Sequence, residues 1–456
     1  MTHTPPLDGY IIENRPMTWQ QALIVAITVC FSTVDGFDVL AIAVSGSGIM
    51  QEFSLTRAQL GGVLSMELIG MGIGSIILGG IADKIGRRGL LLSCLLIMSI
   101  GMALAARVDS VIDLSIVRVF TGIGIGGLLS STNAVVAEFS NKKHRALAIS
   151  LFVIGYPLGG ILCGAFGHAV LDTTASNWRE MFLFGAVLSG LLIPVTFFLV
   201  PESVAWLVRV QPKNALNRVN KSLRKIGHVG IAMLPEQPNA SGDVGRLGWK
   251  IFSRKYLALT FLMTLAYLFQ MITFYYILKW TPTIVVQMGI GAASAAGVLF
   301  WVNVGGVLGG FTFGLLSQKV GLKRLLIVSL LLTTCAVALF GQSEPNVTML
   351  SVLAALAGFF ANAGISGIYS MMAEFFPADI RATGTGFVIG VGRTGAIISP
   401  WLAGILMQQG LDDGHALSQV LASVAATMGL CATIAALALC LSPSSKVKSS
   451  DLPVSA

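Results

Sequence analysis

Gly79-Gly80-Ile81-Ala82-Asp83-Lys84-Ile85-Gly86-Arg87-Arg88 is a short polar and basic break between two apolar stretches, 58–81 and 89–106. Each stretch is long enough to cross a hydrocarbon core of about 30 Å as a helix rising about 1.5 Å per residue. A related break, Leu315-Leu316-Ser317-Gln318-Lys319-Val320-Gly321, follows another apolar stretch 235 residues further on. A second pair has almost the same offset. Ala137-Glu138-Phe139 with Arg145 recurs as Ala373-Glu374-Phe375 with Arg381, 236 residues later. Two independent motifs at one offset predict a duplicated chain.

Outward from these breaks the apolar spans number twelve: 18–45, 58–81, 89–106, 111–137, 146–171 and 180–200, then 256–287, 293–316, 325–342, 348–373, 383–408 and 416–441. The expected fold is an all-α membrane protein, with twelve transmembrane helices in two six-helix pseudo-symmetric bundles. The bundles are 1–206 and 256–456, joined by a polar, basic linker at 207–255 with a short amphipathic helix near 212–226. Composition agrees. The chain is 55% hydrophobic and 11% charged, against about 25% charged in soluble domains. Its 52 glycines suit helices that pack closely in lipid.

The net charge of +8 could suggest a nucleic-acid partner, but its distribution says otherwise. Of the 29 Lys and Arg, 23 fall on one side of the twelve spans. They are Arg15; Lys84, Arg87 and Arg88; Lys142, Lys143 and Arg145; ten from Arg209 to Lys255; Lys319, Lys323 and Arg324; Arg381; Lys446 and Lys448. Arg57, Arg107 and Arg179 lie on the other side, and Arg118, Lys279 and Arg393 inside spans. This asymmetry predicts both termini in the cytoplasm and contact with anionic membrane lipid, not nucleic acid. The polar first 17 residues and long first span do not read as a cleavable signal peptide. Six cysteines without metal-ligand spacing read as packing residues, and no metal, catalytic set or cofactor is expected.

The breaks resemble the major facilitator superfamily over nearly the whole chain. Gly79–Arg88 is similar to its signature between the second and third helices. Arg118-Val119-Phe120-Thr121-Gly122-Ile123-Gly124-Ile125-Gly126 is similar to the R-x-x-x-G-x-G-x-G pattern of its fourth. Asp35-Gly36-Phe37-Asp38 and Gly392-Arg393-Thr394-Gly395 resemble the aromatic acid:proton symporter branch, whose members import ring-derived carboxylates. Pro201-Glu202-Ser203-Val204-Ala205-Trp206-Leu207 resembles a motif shared with sugar porters and discriminates little. Phe269–Tyr276 does not match the sugar-porter pattern of the seventh helix.

Charges at membrane depth cost at least about 2.5–3.5 kcal/mol each and call for a reason. Asp35 and Asp38, one turn apart in the first span, lie at a depth similar to Arg118 in the fourth. The resemblance implies that both helices line a central cavity, so these three can meet. Burial and a second carboxylate favour a protonated acid, and a cation opposes it. The group could exchange protons as a coupled unit or be a static ion pair. Arg393, near the middle of the eleventh span, could grip a carboxylate at two points. The position 236 earlier is Pro157. Glu67, midway along the second span, is either a partner for Arg393 or the next proton carrier.

The resemblance further implies an inner latch of Asp83, Arg87 and Glu138, with Glu374 and Arg381 as second-half copies; Gln318 replaces Asp83 there. Aromatic and polar candidates for a substrate wall are Asn133, Tyr156, Tyr275, Trp301, Asn303, Asn362 and Tyr369, with Phe152, Gln270 and Phe274. Each could equally be interhelical packing. Lys279, near the outer end of its span, is expected to snorkel. The resulting expectation is a monomeric, proton-coupled importer of an aromatic or related small organic carboxylate in the cell inner membrane. Its rivals are a proton-coupled drug antiporter, which needs no anion-gripping arginine, and a carboxylate sensor, which needs an output domain.

Overall fold

The computed structural model describes residues 12, 14–171, 177–234, 250–254, 256–317, 319–376 and 380–441, without the side chains of Asp83, Ala146, Lys250 and Ala382. Helices dominate and no strand occurs among the described residues. Backbone polar groups have no water to turn to in a bilayer core, and a helix satisfies them within the segment. The first six membrane helices are Trp19–Val44, Arg57–Ala82, Arg87–Ala105, Val111–Phe139, Leu147–Val170 and Trp178–Leu199. The seventh to twelfth are Leu257–Gln287, Ala292–Leu316, Leu322–Gln342, Val347–Phe375, Thr383–Asp412 and Leu417–Leu441. The expected twelve are all present.

Local chemistry explains where they stop or bend. The second helix runs on to Ile85, so the polar break after it shrinks to one residue, Gly86, at φ +90°. That backbone region favours glycine, and a side chain there would also meet the Glu202 carboxylate. The eleventh helix is interrupted. Arg381–Gly392 and Thr394–Asp412 join at Arg393, where the Ala396 N–H donates to the Arg393 carbonyl at 2.9 Å in a tightened turn. In the linker region, Val204–Val210 and Ala215–Lys225 are helical. The second has the expected two-faced character, burying Ala215, Val219 and Leu223.

The chain divides into two compact units. One comprises Met1–Ile42, Met66–Cys163 and Asn177–Ala240; the other comprises Ala43–Ser65, Gly164–Ser176 and Ser241–Ala456. In the first unit the second and fourth helices cross at glycines. A methyl on Gly70 would strike the Val119 carbonyl, and one on Gly122 the Glu67 carbonyl. The second unit repeats the crossing between its eighth and tenth helices. Gly305 faces the Ala355 carbonyl and Gly358 the Val302 carbonyl at the same tightness. Gly305 is 235 residues after Gly70, and Gly358 is 236 after Gly122. The duplication thus extends from sequence motif to backbone contact.

Candidate functional site

The close crossing in the first unit decides what Arg118 meets. Gly122, one turn beyond Arg118, lets the second helix in until the Glu67 backbone touches it. Arg118 then lies fully buried, with Nη2 paired to Glu67 Oε1 and Nη1 2.9 Å from Asp38 Oδ1. Nη2 also donates to the Asp38 carbonyl at 3.1 Å, and Nη1 lies 3.2 Å from Met102 Sδ. The guanidinium sits 5.4 Å from the Phe182 ring centre. Asp38 and Asp35 are each 1% exposed and Glu67 is 0% exposed. Two carboxylates grip one guanidinium, and a proton on either would bring the three groups to neutrality. Sequence left Glu67 open between Arg393 and the proton path; the structure seats it on Arg118.

The second unit builds a different cluster around Arg393. Gly392 and Gly395 press the eleventh helix against the seventh at Tyr267 and Leu268, where added methyls would strike. Arg393, between these glycines, lies within electrostatic reach of Tyr267, as do Tyr369 and Tyr275. The Tyr267 and Tyr369 hydroxyls are 3.0 Å apart and their rings are tilted at 48°. Gln270, one turn along, is buried and donates to the Ala361 carbonyl at 2.9 Å. A guanidinium beside phenol rings can hold a carboxylate and flank an aromatic ring. Tyr267 was not among the candidates read from sequence; its signal is its place on the helix face that Gly392 packs against.

Other candidates scatter. Tyr156 is half-buried, and its carbonyl faces Gly36 across a tight helix contact. Asn133 and Asn303 turn back on their own helices, donating to Leu129 and Leu299 carbonyls at 3.0 and 2.9 Å. The Asn362 amide packs against Gly306. Trp301 is a correction. It is 46% exposed and lines an apolar groove of about 550 Å³ with Leu308, Val352 and Phe359, a surface that suits lipid tails. Lys279 is another: instead of snorkelling it is fully buried in the seventh helix. A helix of 31 residues, Leu257–Gln287, overshoots the core, so counting from its end misplaced the ammonium.

At the basic end of the first unit, Arg87 Nε lies 3.7 Å from Glu138 Oε1. Glu202 closes this cluster. Its Oε1 accepts the backbone N–H groups of Arg87 at 2.7 Å and Arg88 at 3.2 Å, at the positive end of the third helix. The motif containing Glu202 looked uninformative in sequence because its partner lies 115 residues away. Asp83's side chain and Gln318 fall outside the described residues. Arg381, in the second-half copy, donates from Nε to the Phe376 carbonyl at 3.1 Å, and Glu374 is exposed. Among the described residues no group of His, Cys, Asp and Glu could hold a metal ion, and none of the six cysteines forms a disulfide.

A duplicated set of twelve membrane helices with charge buried among them defines a multi-pass membrane protein. The profile of the Major Facilitator Superfamily matches residues 24–311 and 298–454, and the chain belongs to that family. It is a transporter, not an enzyme. The chain is similar to a 4-hydroxybenzoate transporter of Pseudomonas putida, 29% identical over 427 residues that cover 92% of this chain and 94% of that one. It is also similar to a gallate transporter of the same organism, at 26% over 415 residues, covering 89% and 91%. Among solved structures, that of a D-xylose-proton symporter has a TM-score of 0.70 at 17% identity, covering 90% of this chain and 96% of that one. That likeness concerns the fold.

Proposed function

We propose that this chain is a proton-coupled symporter that imports an aromatic or related small organic carboxylate by alternating access. The observation that carries proton coupling is the difference between two copies of one crossing. The second unit keeps the glycine contacts but has Val302 and Ala354 at the positions that correspond to Glu67 and Arg118. Apolar residues suffice to build the crossing, so buried charge in the first copy answers another need. Uptake and release of a proton by Asp38 or Glu67 beside the fixed charge of Arg118, with Asp35 three residues before Asp38, is that need.

Substrate class rests on chemistry and kinship together. Arg393 with Tyr267, Tyr275 and Tyr369 offers a cation and flat walls to a ring carboxylate. The two relatives are named for carrying ring-derived acids of this kind. The proton is the coupling ion and no other cofactor is invoked. The working form is a monomer in the cell inner membrane, with its basic face and both termini in the cytoplasm.

Uptake of a panel of labelled aromatic acids into proteoliposomes, with and without an imposed proton gradient, tests this. Accumulation above the equilibrium level only when protons flow inwards supports it. Accumulation that ignores the gradient removes proton coupling; export of bulky cations against it would make the protein an antiporter.

A further inference from the structure

A basic hollow lies at the basic end of the first unit. A cavity of about 640 Å³ opens there, lined by Arg15, Asn141, Lys142, Lys143 and His144 together with Asn14, Pro16 and Met17. Its volume falls in the usual range for small-molecule sites, about 300–1,000 Å³. No acidic side chain lines it among the described residues.

The cavity is assembled and held open by Asn141. This residue is 5% exposed, and its amide donates to the Arg15 carbonyl at 3.0 Å. Its Oδ1 accepts the His144 backbone N–H at 2.9 Å and lies 2.9 Å from His144 Nδ1. One buried side chain thus staples the segment before the first helix to the turn between the fourth and fifth. The cationic groups of Arg15, Lys142 and Lys143 stay exposed around the hollow.

Burial and then Arg15 push the His228 imidazole down. The turn at 140–144 also links two membrane helices, Val111–Phe139 and the one starting at Arg145, and so lies at headgroup depth.

We propose that this pocket is a binding site for a phosphate anion, carried by a phospholipid headgroup or by a soluble phosphate ester. A multivalent oxyanion with several acceptor oxygens matches a hollow rimmed by two lysines, an arginine and an imidazole. The diffuse attraction of any basic loop for an acidic bilayer needs no hollow. The proposal is independent of which solute is transported and of the proton.

The test uses the full-length protein in detergent, as wild type, as R15Q/K142Q/K143Q, as K142Q alone, and as K319Q/K323Q/R324Q, which removes as much charge from a loop of the second half. Retention of added phosphatidylglycerol is read by native mass spectrometry, and stabilisation by inorganic phosphate by thermal unfolding. Variants count once they melt like wild type without ligand; K142Q serves if the triple does not. Each charge is worth about fivefold near such an anion. The pocket triple should therefore lose more than about tenfold in affinity, and the control less than about threefold. Selective loss of phosphatidylglycerol supports a lipid source, and selective loss of the phosphate response supports a soluble one. Equal losses in the two triples, or no binding by wild type in either arm, overturn the proposal.

Discussion

Asp38→Asn keeps the shape of the side chain and a contact for Arg118 while removing a titratable oxygen. If the cluster carries the proton, this variant and Glu67→Gln should still bind substrate and exchange it across the membrane. Neither should accumulate it against a gradient, a difference that parallel binding and driven-uptake assays resolve. Steep accumulation by both would move the proton path away from Arg118. The duplicated crossing supplies a sharper variant. Arg118→Ala alone strands buried carboxylates and should cost about 3–5 kcal/mol. Glu67→Val with Arg118→Ala installs the pair already present at Val302 and Ala354 and leaves Asp38 as the stranded partner, so it should recover part of that stability without recovering transport. Thermal unfolding checks the order. In the other unit, Arg393→Gln removes a charge-assisted contact worth about 1.5–3 kcal/mol, so the Kd for the carboxylate should rise about 10–100-fold. Depth along a helix is legible in sequence, and it brought Asp38 to the level of Arg118. Rotation about the axis is not. Glu67 and Trp301 were misjudged or left open because the facing glycines set the rotation, and Lys279 because helix length did not equal membrane thickness.

Spans are readable as elements because lipid forces a simple rule on long apolar segments, so all twelve were visible; their ends depend on contacts far away in sequence. Glu202 shows this. It caps the third helix from 115 residues downstream, so Glu202→Gln should loosen that end by about 0.5–2 kcal/mol. Faster hydrogen exchange at the first turn of Arg87–Ala105, with the rest of the helix unchanged, would register it. The linker is fastened just as remotely. Thr18 Oγ1 donates to the Ile226 carbonyl at 2.7 Å, and His228 Nε2 lies 3.2 Å from Gln21 Oε1, whose amide donates to the Phe139 carbonyl. Burial and Arg15 depress the His228 pKa from its ordinary 6.5. The docked form therefore binds fewer protons than the released form. Its stability is complete above about 6.5 and falls as the pH drops below that value. Limited proteolysis around 215–228 should accelerate between pH 7.5 and 5.5 in wild type. In His228→Gln the rate should be flat across that window.

At the scale of the whole molecule, three helices are divided between the compact units. The first, second and fifth have their basic ends in one unit, and their opposite ends, Ala43–Ser65 and Gly164–Ser176, in the other. Those opposite ends are tied in firmly. Arg57 donates from Nε to Gln287 Oε1 and from its backbone to Gln408 Oε1, each at 3.2 Å. The Trp280 indole donates to the Pro400 carbonyl at 3.0 Å, on the helix where Gly61 packs. Alternating access requires such ties to open in every cycle, because a face that never opens admits no solute. Gly46 and Thr283 give a direct way to hold them shut. A Cβ built on Gly46 lies 2.8 Å from Thr283 Oγ1, so the two Cβ atoms fall near the separation of about 3.5–4.5 Å that a disulfide spans. Gly46→Cys with Thr283→Cys, in a background lacking the six native cysteines, should cross-link under mild oxidation. The oxidised protein should lose uptake almost completely, and reduction should restore it, while either single variant transports whether oxidised or not. Uptake that continues after complete cross-linking would mean that this face stays closed throughout the cycle, and the alternating-access reading would fail with it.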